Sequence, residues 1–385
     1  MRLLSAVKDG SMMGVKAALE AGADVNGDPE RPYPPIVAAT MADDVIMVEF
    51  LLQRGAHPDM PATQKAACPS SDMADMIPGE RALHIAARSG NVEIVGLLLQ
   101  RARADPNATD ARGGTPLLAA CSNPPVYVSV EVVSLLLMAG ANPTLAEENG
   151  FLPLHGVALK GHIDLVDMLY SRAPATLNHR TTKGNTPLFV ACSEGHERVA
   201  SKLLSLGAMQ PEPMNTHRCP LTIAAINGSV EVVRVLVNEG GIRAVGGEKV
   251  LNKALFIAIS YRHARILRLL LTVDGGKRRS ELANKAPYHR PLLHDGAGCG
   301  NLAAVSILLR AGADEAARDS QGRIPRDIIG MDTYLEDGVR MDEGKEVAIR
   351  RMLQRGPAYR ARSWAWPVGE VEDAVGSGDG ASSAA

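Results

Sequence analysis

Two kinds of apolar stripe alternate along this chain. The first is narrow and built of small residues: Leu188, Ala191 and Cys192 recur at i, i+3 and i+4, the spacing of one helix face. The second is broader, with Val199, Leu203 and Leu204 lining one side of a segment otherwise rich in charge. Turn residues separate them. Thr186 offers a hydroxyl to cap a helix that begins at Pro187, where the missing N–H costs nothing. Gly195 supplies the left-handed residue that ends this helix, and Gly207 does the same for the next. The pattern over 184–208 therefore predicts helix, tight reversal, helix and extended connection. The second-helix pattern returns at 92–99, 130–137, 230–237 and 302–309.

The unit is repeated. TPLLAAC at 115–121 is echoed by FLPLHGVALKGH from Phe151, NTPLFVACSEGH from Asn185 and CPLTIAAINGS from Cys219. Taking the third position of the TPLH-like tetrapeptide as a marker gives Leu3, Ile36, Leu83, Leu117, Leu154, Leu188, Leu221, Leu255, Leu293 and Arg326. The steps are 33, 47, 34, 37, 34, 33, 34, 38 and 33, a period of 33 with loop insertions. Neither helix of such a unit can bury its apolar face alone, so stacking on neighbours has to supply the core.

This period, together with the T-P-L-H-x-A signature, resembles the ankyrin-repeat family over about residues 1–330. The resemblance implies an all-α fold, an ankyrin-repeat solenoid of stacked helix-turn-helix units with short finger loops. It gives about ten units, with atypical ends. The first lacks the Thr-Pro start and carries Lys8 and Asp9, and the last has Arg326 and Asp327 where Leu and His are usual. Insertions are expected near 60–78, 123–129 and 272–290, the first of them as an exposed, mobile loop rich in Pro, Ser, Met and Ala. Ile349, Met352 and Leu353 predict a capping helix within 331–356, and the Gly, Ser, Ala and acidic composition predicts a disordered tail over 357–385.

Composition narrows the function. Hydrophobic residues make up 46% of the chain but aromatic ones only 3%, so Leu, Val, Ala, Ile and Met must fill closely stacked short helices. Lys and Arg total 41 against 43 Asp and Glu, which leaves no overall field for nucleic acid or an anionic membrane. Five widely spaced cysteines match neither a disulfide framework nor a CxxC zinc site, and point to a reducing, intracellular compartment, cytoplasmic or nuclear. Helical periodicity starts at the first residues, which argues against a secretory signal, and no uninterrupted apolar run is long enough to span a bilayer.

Catalytic motifs fail on spacing. Gly275-Gly276-Lys277 is followed by Arg278 and lacks the first Gly and the hydroxyl of a phosphate loop, and no HExxH occurs. No enzyme activity, metal or cofactor is therefore expected. His84, His155 and His294 fall in the TPLH slot, where the resemblance implies a structural hydrogen-bonding link between units; His162, His196 and His263 fall in the helix-turn slot. Cys121 and Cys192 occupy a small-residue core slot, while Cys68 and Cys299 are the thiols expected to react.

Specificity must sit where the repeat leaves side chains free. The ends of the first helices carry Arg88, Ser89, Leu159, Lys160, Ser193, Glu194, Ile226, Asn227 and Tyr261, and the fingers carry Arg112, Glu148, Phe151, Lys183 and Arg218. The resemblance places these on a concave face that binds a protein partner. Mixed charge with apolar anchors suits a protein better than a phosphate backbone. The function expected is a non-enzymatic scaffold or adaptor without a small-molecule substrate. The alternative is a nucleic-acid or phosphate binder acting through the basic loop 277–279 and the Arg-rich residues 350–362, and Trp364 and Trp366 offer a further docking motif.

Overall fold

The computed structural model describes residues 2–28, 31–63, 77–122, 129–209, 219–240, 247–287, 290–331 and 341–355. Cys68, residues 123–128, Arg218 and the tail from 356 with Trp364 and Trp366 lie outside the described residues. Among the described residues all regular structure is helical. The chain divides into two compact units, Met1–Gln210 and Pro211–Ala385.

The first unit holds six helix pairs. Their first helices are Arg2–Lys8, Pro35–Met41, Ala82–Ser89, Pro116–Cys121, Pro153–Lys160 and Pro187–Ser193; their second helices begin at Met12, Val45, Val92, Val130, Ile163 and Glu197. First helices pack on first helices and second on second. Ile36, Leu83, Leu117, Leu154 and Leu188, the marker residues of the period, are buried in one layer, and Leu51, Leu98, Leu136, Leu169 and Leu203 in the other. Close approach has a local cause in the fifth repeat. A side chain at Gly156 would place its Cβ 2.6 Å from Ser122 Oγ and 3.0 Å from the Cys121 carbonyl, so the bare backbone lets the two first helices touch.

The second unit continues with Pro220–Ile226 and Val230–Val235, Gly247–Ser260 and Ala264–Leu271, and Leu292–Gly298 and Leu302–Ala311. A short 3-10 turn, Pro325–Ile328, stands at the first-helix position of the tenth repeat, and Asp327 caps it by accepting from Ile324 N at 3.0 Å. The helix Glu343–Gln354 packs on Leu302–Ala311 and buries Ile349 and Leu353.

Three local features depart from the sequence expectation. The first helix of the eighth repeat starts at Gly247, about two turns earlier than the first helices that start one residue before their marker. The 272–290 insertion contains the helix Arg279–Ala283, which buries Leu282 and Ala283. Single turns of π-helix follow Val92–Gly96 and Val230–Val235. The first absorbs the extra residue of Leu97–Arg101 before Arg103 takes the left-handed turn at φ 52° that glycine fills elsewhere.

The start of each first helix leaves N–H groups that need acceptors, and the repeats meet this need with different side chains. Thr115 and Thr186 accept from Leu118 N and Phe189 N, both at 3.2 Å. In the third and fifth repeats, which lack that threonine, the histidine of the TPLH slot satisfies a different amide, that of the N-cap residue: His84 Nδ1 accepts from Arg81 N at 3.3 Å and His155 Nδ1 from Leu152 N at 3.2 Å. With Nδ1 accepting, Nε2 carries the proton and donates to the next repeat, to Gly114 O and Asn185 O, both at 3.1 Å. In the ninth repeat His294 Nε2 reaches Arg323 O at 2.8 Å, but Pro291 has no N–H to give, and His294 Nδ1 is buried without a partner. Pro291→Thr should supply both the missing donor and a cap. The expected net gain is about 1 kcal/mol after the loss of proline's effect on the unfolded chain, read as a higher urea midpoint of the second unit.

Candidate functional site: the finger and first-helix face

Fingers are built by local polar chemistry. In the finger before Thr115, Asp110 Oδ1 accepts from the N–H groups of Arg112 and Gly114, both at 2.8 Å, while Asp110 N donates to Gly114 O. Thr181 and Asn185 close the equivalent turn two repeats later. Neighbouring fingers then join through the backbone: Ala111 N to Pro78 O, Glu148 N to Arg112 O and Thr182 N to Asn149 O, each 2.8 Å. These bonds hold the finger side chains at fixed spacing, a platform that loses little entropy on binding.

The first-helix ends are tied in the same repetitive way. His196 Nε2 donates to Leu159 O at 3.0 Å, and in the second unit His263 Nε2 donates to Ile226 O at 3.1 Å. Each turn is thus clamped to the turn before it. Asp43 and Arg262 adopt the left-handed turn conformation that glycine fills in other repeats. Both use their side chains to bridge to the next turn: Asp43 accepts from Asn91 Nδ2 at 3.2 Å and Arg262 donates to Cys299 O at 2.9 Å.

On this frame the candidate residues fall into groups. In the first unit Arg112 and Lys183 are exposed at finger tips, and Phe151 is half-buried with its ring 5.1 Å from that of His155. Leu159 and Lys160, half-buried, lie on the turn next to the one carrying Ser193 and exposed Glu194. The Ser193 hydroxyl donates to Val190 O at 2.9 Å. In the second unit Ile226 and exposed Asn227 occupy the turn beside that of Tyr261, which is 55% exposed and stacked on His263. Arg88 behaves differently. Its guanidinium grips buried Glu80 through both carboxylate oxygens, while Glu80 also accepts from Ile77 N at 3.1 Å. Ser89 bonds Ala86 O and approaches Asp43. The Arg88–Glu80 pair anchors the finger at 77–80 to the helix end, a role that its sequence spacing of eight does not announce.

The imidazoles of the frame are chemically quiet. Burial pushes the His155 ring down to about 4, and burial also lowers His84 and His294 against the opposing pull of their backbone carbonyls. Cys121, Cys192 and Cys219 are buried and Cys299 half-buried; burial alone lifts the Cys121 thiol to about 12, where no thiolate forms at neutral pH. Among the described residues no group of three or more His, Cys, Asp or Glu is placed to hold a metal ion, and no helix is long and apolar enough to cross a membrane.

One cation of the basic loop is paired with acids of its own unit. Arg278 pairs with Glu248 and Glu281, and Lys285 reaches Glu281 at 3.0 Å. Arg350 pairs with Glu346 at 2.8 Å, and residues 356–362 of the Arg-rich segment lie outside the described residues.

Comparison with known proteins agrees with this architecture. The family model described as ankyrin repeats (3 copies) matches residues 3–110, 64–147, 83–181 and 154–245. The putative ankyrin repeat protein FPV014 of fowlpox virus is 30% identical over 155 residues, covering 40% of this chain and 34% of the relative. The ankyrin repeat protein nuc-2 of Neurospora crassa is 26% identical over 266 residues, 68% of this chain and 24% of the relative. The human transient receptor potential cation channel subfamily A member 1 is 25% identical over 312 residues, 75% of this chain and 25% of the channel. The chain spans only about a quarter to a third of these relatives. The matched repeats run without a gap over residues 3–245, well over half of the chain, and the chain belongs to the ankyrin-repeat family.

Proposed function

We propose that the protein is a non-enzymatic scaffold or adaptor that holds a protein partner on the concave face formed by its fingers and first-helix ends. The observation that carries this reading is the inter-finger hydrogen-bond ladder, which presents Arg112, Phe151 and Lys183 from a rigid edge beside Leu159, Lys160 and Glu194. Charges of both signs around apolar anchors are the chemistry of a protein epitope. Carboxylate pairing of Arg278 and Arg350 supports a protein over a polyanion, and the buried cysteines suit a reducing compartment, cytoplasm or nucleus.

The test is quantitative affinity capture from native extract with the full chain, beside a variant carrying Phe151→Ser, Leu159→Ser, Lys160→Ala and Glu194→Ala. The four changes sit on exposed or half-buried positions, and circular dichroism checks that the helices remain. Proteins enriched by the wild type and reduced at least about tenfold by the variant support the reading. Equal enrichment by both chains overturns it, as does retention of nucleic acid alone with release by salt.

A further inference from the structure

The insertion between the eighth and ninth repeats carries chemistry that stacking does not need. Lys277, Arg278 and Arg279 stand directly before Ser280, and no other serine or threonine of the chain follows three consecutive cations. Lysine or arginine two and three residues before a hydroxyl is the charge pattern that the acidic clefts of basophilic serine/threonine kinases select. Ser280 and Lys277 are exposed, and the Arg278 side chain is 31% exposed. A kinase takes its substrate as an extended chain, and this segment opens at small cost. The helix Arg279–Ala283 has only five residues, too short to be stable without its packing, so lifting Leu282 and Ala283 out releases it. Gly275 and Gly276 precede the cations at φ 68° and 76°, a backbone that turns without a side chain in the way. Arg278 pairs with Glu248 and Glu281 at the surface, where exchange for the carboxylates of a kinase loses little.

Ser280 also helps to hold the insertion in place. Its Oγ donates to Gly312 O at 3.3 Å, and Asn284 Nδ2 donates to the same carbonyl at 2.9 Å while Asn284 Oδ1 accepts from Asp314 N at 2.8 Å. This knot pins the one-turn helix to the end of the helix Leu302–Ala311. We propose that Ser280 is a phosphorylation site for a basophilic serine/threonine kinase, and that its phosphate releases the insertion helix from the turn at Gly312. In the transfer, Ser280 Oγ attacks the γ-phosphorus of magnesium ATP. The new Oγ–P bond replaces the bond to the β,γ-bridging oxygen, ADP leaves with that electron pair, and the hydroxyl proton passes to the carboxylate base of the kinase. The product has no Oγ–H left to donate to Gly312 O. Nor is there room for a phosphoryl group on that side, since even a Cβ on Gly312 would stand 3.0 Å from Ser280 Oγ. The added charge of about −1.5 to −2 repels Glu281 and exposed Asp314. It also competes with Glu248 for Arg278, which loosens the tie from the insertion to the helix Gly247–Ser260.

The test incubates the native full chain with magnesium ATP and the catalytic subunit of a basophilic serine/threonine kinase, and maps the phosphate by mass spectrometry. A synthetic peptide of residues 272–286 gives the rate of the same sequence without the fold. Ser280 should be modified in the native chain at no less than about a tenth of the peptide rate, the slowing that a small local opening imposes. Ser280→Ala should remove that label, and Lys277→Gln with Arg278→Gln, at an unchanged unfolding midpoint, should slow it at least about tenfold. After full modification, hydrogen exchange should rise about threefold or more over 279–284 and 312–314, and the helices Pro220–Ile226 and Val230–Val235 should keep their protection. Labelling of the peptide but not of the native chain, or of other residues with Ser280 untouched, would overturn the site. Equal rates for the wild type and the Lys277→Gln, Arg278→Gln variant would overturn its recognition by the cations, and unchanged exchange after modification would overturn the release.

Discussion

Leu136→Ala is expected to cost about 2–5 kcal/mol, the range for emptying a fully buried leucine site in a packed core. Leu136 is 0% exposed on the helix Val130–Met138, whose neighbours in the stack are the second helices starting at Val92 and Ile163. Its loss leaves a cavity at a junction of three repeats. In a stack held by nearest-neighbour contacts the damage should stay near its source, so hydrogen exchange should rise most over 92–101, 116–121, 130–138 and 163–172. The second unit, Pro211–Ala385, should keep its protection. A uniform rise across the chain would mean that the core is one cooperative body and that repeat-by-repeat stacking is the wrong physical description.

His155→Leu should also be damaging, by about 1–3 kcal/mol, because it strands a buried donor and removes a link between repeats. Leu152 N–H loses its acceptor at 3.2 Å, at about 1–3 kcal/mol, while Asn185 C=O loses the donor at 3.1 Å but keeps the Thr181 N–H at 3.0 Å. Adding Leu152→Thr should recover part of the loss, since Thr115 and Thr186 show that a hydroxyl at this position caps the helix. The wild-type ring also sets a pH signature. Its ordinary value is 6.5 and burial holds it at about 4 in the fold, so the folded state binds the proton more weakly than the unfolded chain. Stability from this residue is complete above pH 6.5 and is lost as pH falls toward 4, by about 3 kcal/mol. His155→Leu should flatten that slope in equilibrium unfolding measured from about pH 7 to 4; an unchanged slope would show that other groups, His84 and His294 first, account for the acid sensitivity.

Much of this architecture is legible in the sequence because the unit is short and local. Thr186, Pro187, Gly195 and Gly207 mark boundaries within a residue or two of the helices Pro187–Ser193 and Glu197–Ser205, since capping and left-handed turns are decided by adjacent residues. The early start at Gly247 and the helix Arg279–Ala283 are harder to see. Neither has a Thr-Pro start, and what stabilises them is tertiary: Val250, Leu251 and Leu282 are buried, and Asn284 Nδ2 donates to Gly312 O at 2.9 Å, 28 residues on. The candidate face is legible as a set of positions, because the period says which side chains a packed core does not use. Their engagement is not. Arg88 reads as a free surface cation until the finger at 77–80 turns Glu80 back onto it.

Recognition by the finger and first-helix face is tested most directly by its footprint. With a captured protein partner in hand, hydrogen-exchange mass spectrometry of the full chain, free and bound, measures it. The account predicts added protection at the fingers 110–114, 147–151 and 181–185 and at the helix ends around Lys160 and Glu194, with the second helix Ile163–Arg172 unchanged. Protection confined to the second helices, or to the basic loop 277–279, would contradict it.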